Sequence, residues 1–284
     1  MGLLANPGKA HCGAALHRAA EMLAAAGCEV LTDQATSGLA RLRCPVLPTA
    51  AALAAQCQLL LVFGGDGTML RAVRDLEGSS TPIMGVNVGG LGFLTAVSSR
   101  DMETALGQVL GGHYEIDARP LIKAEADFPG GPASARALND FVIHRAAGSR
   151  LIDLDVYVNG EELTRYRCDG LIISSPTGST AYSLAAGGAI VEPAAEVFTL
   201  TPICPHTLSN RSVILNLSST IVVKALGSRP QVQISGDGEI LFDFPPGGGV
   251  VITRSRRMVR LARLPGVTFF RTLRHKLNWS GSHV

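Results

Sequence analysis

Five residues, Gly64-Gly65-Asp66-Gly67-Thr68, follow the apolar run QLLLVF and set a carboxylate inside a glycine-rich turn. Such a turn, placed between a strand and a helix, offers free backbone N–H groups and a helix N-terminus to an anion, so phosphate is the ligand it suits. Its glycines permit positive φ and let a ligand approach the main chain closely. A fixed carboxylate opposes bound phosphate. Asp66 therefore fits a site that takes a proton from a hydroxyl, or holds Mg²⁺, beside that phosphate. The bland alternative is a tight Asp-Gly turn whose carboxylate caps the next helix. Arg71, one helical turn further on, could face the phosphates or be a solvated helix arginine.

A second set of polar residues lies in the other half of the chain. Asn139-Asp140 precedes the apolar FVI, and two polar side chains need partners if that strand is buried. The stretch SSPTGSTAYSLAAGG combines hydroxyls, glycines and a helical segment after a strand, a combination able to hold an adenine edge or a phosphate. Tyr182 could stack on a planar ring or fill core space. Ser179 and Ser183 lie in GSTAYS, which lacks the GxSxG elbow, and no partnered His-Asp set accompanies them, so hydrolysis is rejected. The seven histidines are scattered and the six cysteines form no CxxC pair, which argues against a metal site and for reduced core thiols.

The elements that must position these residues fall into two halves. From residue 1 to 111 short apolar strands (GLLAN, EVLT, QLLLVF, PIMGVN) alternate with helical stretches. These stretches are Ala14 to Ala26 closed by Gly27, MLRAVRDLE, and METALGQVL with Asp101 as N-cap. Alternation of that kind predicts an α/β domain with a Rossmann-like parallel sheet covered on both faces. Residues 112–255 read as a mostly-β domain of sandwich type, with period-two strands and a hairpin around Asn159-Gly160. Ser179 to Gly187 is its one helical stretch, and the tail 256–284 is expected to pack back on the body. The loop GVNVGGLGFL should lie beside Asp66, with Asn87 turned toward its carboxylate.

The formal net charge of +2 gives no reason to expect nucleic acid or a membrane surface as a partner. The N-terminus lacks the features of a secretory signal, and the densest apolar run is too short to cross a bilayer. A cytoplasmic protein is the expectation.

Taken in order, these motifs resemble the bacterial NAD kinase family. GGDGT alone is shared more loosely with diacylglycerol, sphingosine and 6-phosphofructokinases. GVNVGGLGFL, ALNDFVIHR, DGLIISSPTGSTAYSLAAGGAIV, TPICPHTLSNRS and KLNW extend the likeness over the whole chain. The resemblance implies transfer of phosphate from ATP, or in some members polyphosphate, to the 2′-hydroxyl of the adenosine ribose of NAD. Mg²⁺ or another divalent cation would neutralise the triphosphate. It implies Asp66 as the proton acceptor and Gly67 as the point of close approach. Asn139 and Asp140 would bind the adenosine part, with Thr177 and the run Thr180, Ala181, Tyr182, Ser183, Leu184 and Ala185 as dinucleotide contacts. Arg150, Arg167 and Asp169 match further NAD contacts, some reaching across a subunit interface, so a homodimer or homotetramer is implied. Cys204 falls near a position that is usually small and lines the site, with packing as its expected role. The chain departs from the family pattern at Asp140, where glutamate is usual, and at Glu239, where the Asp-Gly turn is usually followed by glutamine. The competing readings are a lipid or sugar kinase of the same superfamily and a non-catalytic dinucleotide sensor.

Overall fold

The computed structural model describes residues 1–90, 92–128, 131–146, 151–206, 211–226, 232–244 and 248–279. The chain forms two compact units, Met1–Ala118 with Met258–Val284, and Arg119–Arg257.

The first unit is built on β1 (Gly2–Ala5), β2 (Leu31–Asp33), β3 (Val46–Leu47), β4 (Leu60–Phe63), β5 (Ile83–Asn87) and β6 (Thr95–Ser98). Between them run α1 (Gly13–Ala25), α2 (Gln34–Ala40), α3 (Ala50–Gln56) and α4 (Asp66–Asp75), with α5 (Met102–Leu110) after β6. The strands pair in parallel in the order β3-β2-β1-β4-β5, the doubly wound arrangement in which ligands gather where the strand order reverses, here between β1 and β4. Their registers bring Ala5 opposite Phe63, so both strands end together at that crevice. Full burial of β4 and β5 explains their unbroken apolar runs. Leu16, Ala19 and Leu23 give α1 a buried stripe at helical spacing, packed with Leu3, Leu61 and Phe63 from the sheet.

Two of these helices escape a reading by periodicity. Both are short, α2 mixed and α3 Ala-rich, and their starts are marked by caps instead: Asp33 accepts from Thr36 N–H at 2.9 Å, and Thr49 from Ala52 N–H at 3.1 Å. Asp101, expected to cap α5, makes no side-chain cap bond, its ψ of 6° lying outside the extended region that a cap needs.

The second unit begins within β7 (Glu115–Phe128) and continues through β8 (Gly131–Ala137), β9 (Asp140–Arg145), β10 (Ile152–Val158), β11 (Glu161–Cys168) and β12 (Gly170–Ser174). A 3-10 turn (Thr177–Thr180) and the single-turn helix α6 (Tyr182–Ala185) follow. Then come β13 (Val197–Ile203), β14 (Val213–Asn216), β15 (Ile221–Ala225), β16 (Val232–Gly236), β17 (Glu239–Phe244) and β18 (Gly249–Arg263). Six strands form an antiparallel sheet in the order β14-β13-β12-β9-β16-β17, and β11, β10, β15 and the start of β18 pair antiparallel beside one another in a second sheet. Their inward faces share one apolar core that includes Phe141, Ile143, Leu171, Ile173, Phe198 and Leu200. The β10–β11 hairpin turns at Asn159 and Gly160, both at positive φ, as a two-residue turn requires. The stretch after β12 is less helical than its composition predicts, because Ala181 (φ −99°, ψ −127°) leaves the helical region and divides it.

From Met258 the chain belongs to the first unit again, where Leu261 on β18 pairs with Ile83 on β5. The closing helix α7 (Phe269–Lys276) is capped by Thr268, and Phe269 packs its ring on Phe93 with centroids 6.3 Å apart. No helix among the described residues is long and apolar enough to cross a membrane.

Candidate functional site

In the first unit the chemistry gathers on the turn after β4. Gly65 is the N-cap of α4 and Asp66 stands in its first turn, half-buried. The Asp66 carboxylate caps nothing in its own helix. One oxygen accepts from Phe93 N–H at 2.8 Å and the other from Leu94 N–H at 3.0 Å, both in the loop between β5 and β6. That excludes the helix-cap alternative for Asp66 and leaves free lone pairs on each oxygen for a hydroxyl. Gly92 completes the clamp: a Cβ there would lie 1.9 Å from Asp66 Oδ1.

Asn87 does not turn toward that carboxylate. Its amide donates to Gly90 O at 2.6 Å and to Thr95 Oγ1 at 2.9 Å, while its own oxygen accepts from Gly89 N–H. Thr95 Oγ1 in turn accepts from Gly92 N–H. Asn87 thus shapes the loop whose backbone holds Asp66. Motif reading missed this because backbone donors carry no residue signature.

Three further features surround the turn. Gly64 sits at φ +151°, and a Cβ on it would strike Thr68 Oγ1 at 2.2 Å, so the glycine is required. The Thr68 hydroxyl is buried and has no hydrogen-bond partner, the only such side-chain atom among the described residues. The Lys9 ammonium stands 3.9 Å from where a Cβ on Gly65 would be, which brings a cation from the turn after β1 over the glycines. Sequence reading passed over Lys9. Arg71 is paired with Asp75 at 3.3 Å and half-exposed, and both line a small cavity of about 20 Å³ with Leu4, Ala5, Asp33 and Thr68. Gly67 is exposed with open space around it.

The second unit carries the other constellation. On β9 alternate side chains point to opposite faces, so Phe141 and Ile143 enter the core and Asp140 and Val142 face the other way. Asp140 pairs across with Ser174, and Ser174 with Thr199, giving a polar row on that face of the sheet. Ser183 of α6 bonds Thr201 at 3.0 Å on the same sheet. The 3-10 turn lies against the start of β9, and a Cβ on Gly178 would be 2.2 Å from Asn139 O. Ser175 donates to Leu138 O at 2.5 Å, and its N–H to Asn139 O at 2.8 Å. Thr177 Oγ1 accepts from Arg119 at 3.0 Å, a buried arginine that no motif flagged. Tyr182 is 48% exposed, which removes the core-filling alternative. Thr180, Ala181 and Leu184 are partly exposed and Ala185 is exposed on the same short segment. Ser179 and Ser183 are fully buried and hydrogen-bonded, Ser179 to Pro176 O and Val191, so neither is a nucleophile.

Asp237, in the turn between β16 and β17, accepts from Leu138 N–H at 2.8 Å and Asn139 N–H at 2.7 Å, and thereby fixes the strand just before Asp140. Asp237 and Gly238 are both at positive φ, and Glu239 beyond them is exposed. Burial, and then the nearby charge of Asp237, push the Asp140 carboxyl up to about 7.

Other expected contacts distribute differently. Asp169 pairs with Arg145, the basic residue closing ALNDFVIHR, at 2.6 Å. Arg167 is exposed on β11, where its side chain makes no ion pair among the described residues. Arg150 lies outside the described residues. Cys204 is exposed at φ +45°, so the packing role expected of it is not what the fold gives. No group of three or more His, Cys, Asp or Glu among the described residues could hold a metal ion.

A doubly wound sheet with a clamped carboxylate in its glycine turn, together with a sheet domain bearing a hydroxyl-rich face, defines the class: a small-molecule phosphotransferase. Residues 1–114 match the model of the ATP-NAD kinase N-terminal domain and residues 138–264 that of the ATP-NAD kinase C-terminal domain. Among curated proteins the chain is 40% identical to an NAD kinase of Symbiobacterium thermophilum over 91% of each chain. It is 37% identical to one of Chromohalobacter salexigens over 99% of this chain and 96% of the other. Among solved structures it resembles yeast NADH kinase complexed with NADH (TM-score 0.89, 25% identity, 100% of this chain and 88% of that one). It also resembles an NAD kinase from Archaeoglobus fulgidus in complex with ATP (TM-score 0.77, 25% identity, 99% of each chain). The chain belongs to the ATP-NAD kinase family.

Proposed function

We propose that the protein transfers the terminal phosphoryl group of ATP to the 2′-hydroxyl of the adenosine ribose of NAD, giving NADP and ADP, with Asp66 as proton acceptor. The observation that carries this reading is the Asp66 carboxylate, gripped by two loop N–H groups at the carboxyl end of β4. As the O2′–P bond forms and the bond to the β-phosphate oxygen breaks, the hydroxyl proton passes to Asp66. A carboxylate held this way faces the alcohol without reorganising. Lys9 and the N-terminus of α4 supply positive potential for the donor's phosphates.

ATP is the donor in this reading, supported by the resembling Archaeoglobus fulgidus NAD kinase, whose structure holds ATP. Mg²⁺, when bound, neutralises the triphosphate. Asp66 is the one carboxylate in the turn, so such an ion would be held mainly by phosphate oxygens and water, as magnesium commonly is. Asn139, Asp140, Thr177, Thr180, Ala181, Tyr182, Leu184, Ala185, Arg150, Arg167 and Asp169 bind NAD, with Tyr182 exposed for stacking, Asp169 oriented by Arg145, and the fully buried Ser183 holding the segment on Thr201 instead of touching the ligand. Gly67 leaves open space for a ligand. The protein works in the cytoplasm as a homodimer or homotetramer.

The test is to offer NAD, diacylglycerol and fructose 6-phosphate with labelled ATP, and to compare Asp66→Asn with its parent. Label on NAD alone, with turnover lost and NAD binding kept in the variant, is expected. Label on another acceptor would reject the reading, and equal behaviour of variant and parent would favour a sensor.

A further inference from the structure

Asp140 is only 4% exposed, and among the described residues no hydrogen bond reaches its carboxyl oxygens. Asp237, across the β16–β17 turn, has the opposite circumstances. Its two oxygens accept from the N–H groups of Leu138, Asn139 and, at 3.4 Å, Asp140 itself. Donors of that kind stabilise a carboxylate, whereas burial without donors penalises one. Asp237 therefore keeps its charge, and Asp140 is the member of the pair that takes a proton.

We propose that Asp140 meets NAD as a neutral acid, held in that state beside the fixed charge of Asp237, so that molecules with Asp140 ionised must take up a proton to bind. The inference rests on the reading above that Asn139 and Asp140 contact NAD.

The surroundings support it. From β12 the residue opposite is Ser174, whose hydroxyl is spent on Asn139 O and Ser175 O. The 3-10 turn contributes Thr177, occupied by Arg119. The β16–β17 turn contributes Asp237, and Glu239 is exposed beyond it; on β9 itself His144 lies four residues on, with its ring against Arg145 O. Burial, and after it the charge of Asp237, brings the Asp140 carboxyl to about 7. A neutral acid can donate one hydrogen bond and accept another, the pairing that an adenine edge or a carboxamide offers, while a carboxylate only accepts. A ligand that closes over Asp140 removes its remaining water and disfavours the ion further. The chain carries aspartate where the resembling pattern has glutamate, and the shorter side chain stays nearer the strand that Asp237 grips.

The test is isothermal titration of NAD into the intact protein between about pH 6 and about pH 8.5, in buffers of different ionisation enthalpy, with ¹³C-carboxyl NMR of the free protein alongside. The parent should bind with constant affinity below about pH 7 and lose up to about tenfold per pH unit above it, taking up close to one proton. Asp140→Asn should show neither slope nor proton uptake. Asp237→Asn, if it folds, should move the break in affinity to lower pH. The carboxyl titration of Asp140 in the parent covers the case in which it does not fold. Constant parent affinity across the range, proton release on binding, or an Asp140 midpoint in the ordinary carboxylate range near about 4 would overturn the proposal. A midpoint near 7 with no NAD binding at any pH would sink the proposed function and this coupling with it, leaving the acid pair itself established.

Discussion

Replacing Gly92 by alanine isolates the clamp on Asp66 from the carboxylate itself. The new Cβ would lie 1.9 Å from Asp66 Oδ1, 2.6 Å from its Cγ and 2.7 Å from Thr95 Oγ1. Relief to ordinary contact demands a movement of about 1 Å or more by the carboxylate or by the loop that holds it. Misplacement of that size at a reacting group costs about 10²-fold in rate. The loop alternative gives up hydrogen bonds from Phe93 and Leu94 to a charged group, each worth about 1.5–3 kcal/mol. Both routes lower kcat. The acceptor contacts lie elsewhere in the chain, so KM for NAD should change little. The assay couples NADP formation to a dehydrogenase specific for that product, with circular dichroism to verify folding. Gly90→Ala serves as the control, because a Cβ there meets nothing within 4 Å. A folded Gly92→Ala enzyme that turns over within about threefold of its parent would refute the idea that this loop positions the base.

Gly178→Ala should raise KM for NAD by about tenfold or more with a smaller effect on kcat, since its Cβ would strike Asn139 O at 2.2 Å and displace the strand that presents Asn139. Thr68→Val removes a buried hydroxyl without a partner and should stabilise the protein by about 1 kcal/mol in urea unfolding, and if that hydroxyl serves the donor, turnover falls as well. Full activity in that variant would show that the hydroxyl does not serve the donor. Asp140 makes stability depend on pH: its carboxyl is raised in the folded state from 3.8 to about 7, so its contribution is complete below the lower value and is lost as pH rises through that window. Asp140→Asn should accordingly melt above its parent at pH 8, the gap closing toward pH 4. A gap independent of pH would contradict the sign.

Much of the fold is legible in the residues because its signals are short-ranged. Leu16, Ala19 and Leu23 predict α1, and the unbroken LLVF predicts a strand buried on both faces. Asn159-Gly160 predicts its hairpin because both residues tolerate positive φ. Asp101 shows the limit: its type suits a cap, but its backbone angles do not. Within the candidate sites, Asp66 and the Asn139-Asp140 pair stand out as carboxylates and amides in unusual places. Lys9 and Arg119 do not, since an isolated cation has no pattern until a fold brings it to a partner.

By itself, then, the sequence determined the longer strands and helices, where the glycine turn falls and which carboxylate occupies it, since these depend on dihedral preference and periodicity over a few residues. Tertiary structure alone decided that Asp66 is held by N–H groups 27 and 28 residues away, and that Asp169 answers to Arg145. It also decided that Asp237, 98 residues beyond Asn139, grips the strand beside Asp140 and sets which acid carries the proton. The reason is that backbone donors and desolvation are the same physics at every residue, and only distance after folding tells one carboxylate from another.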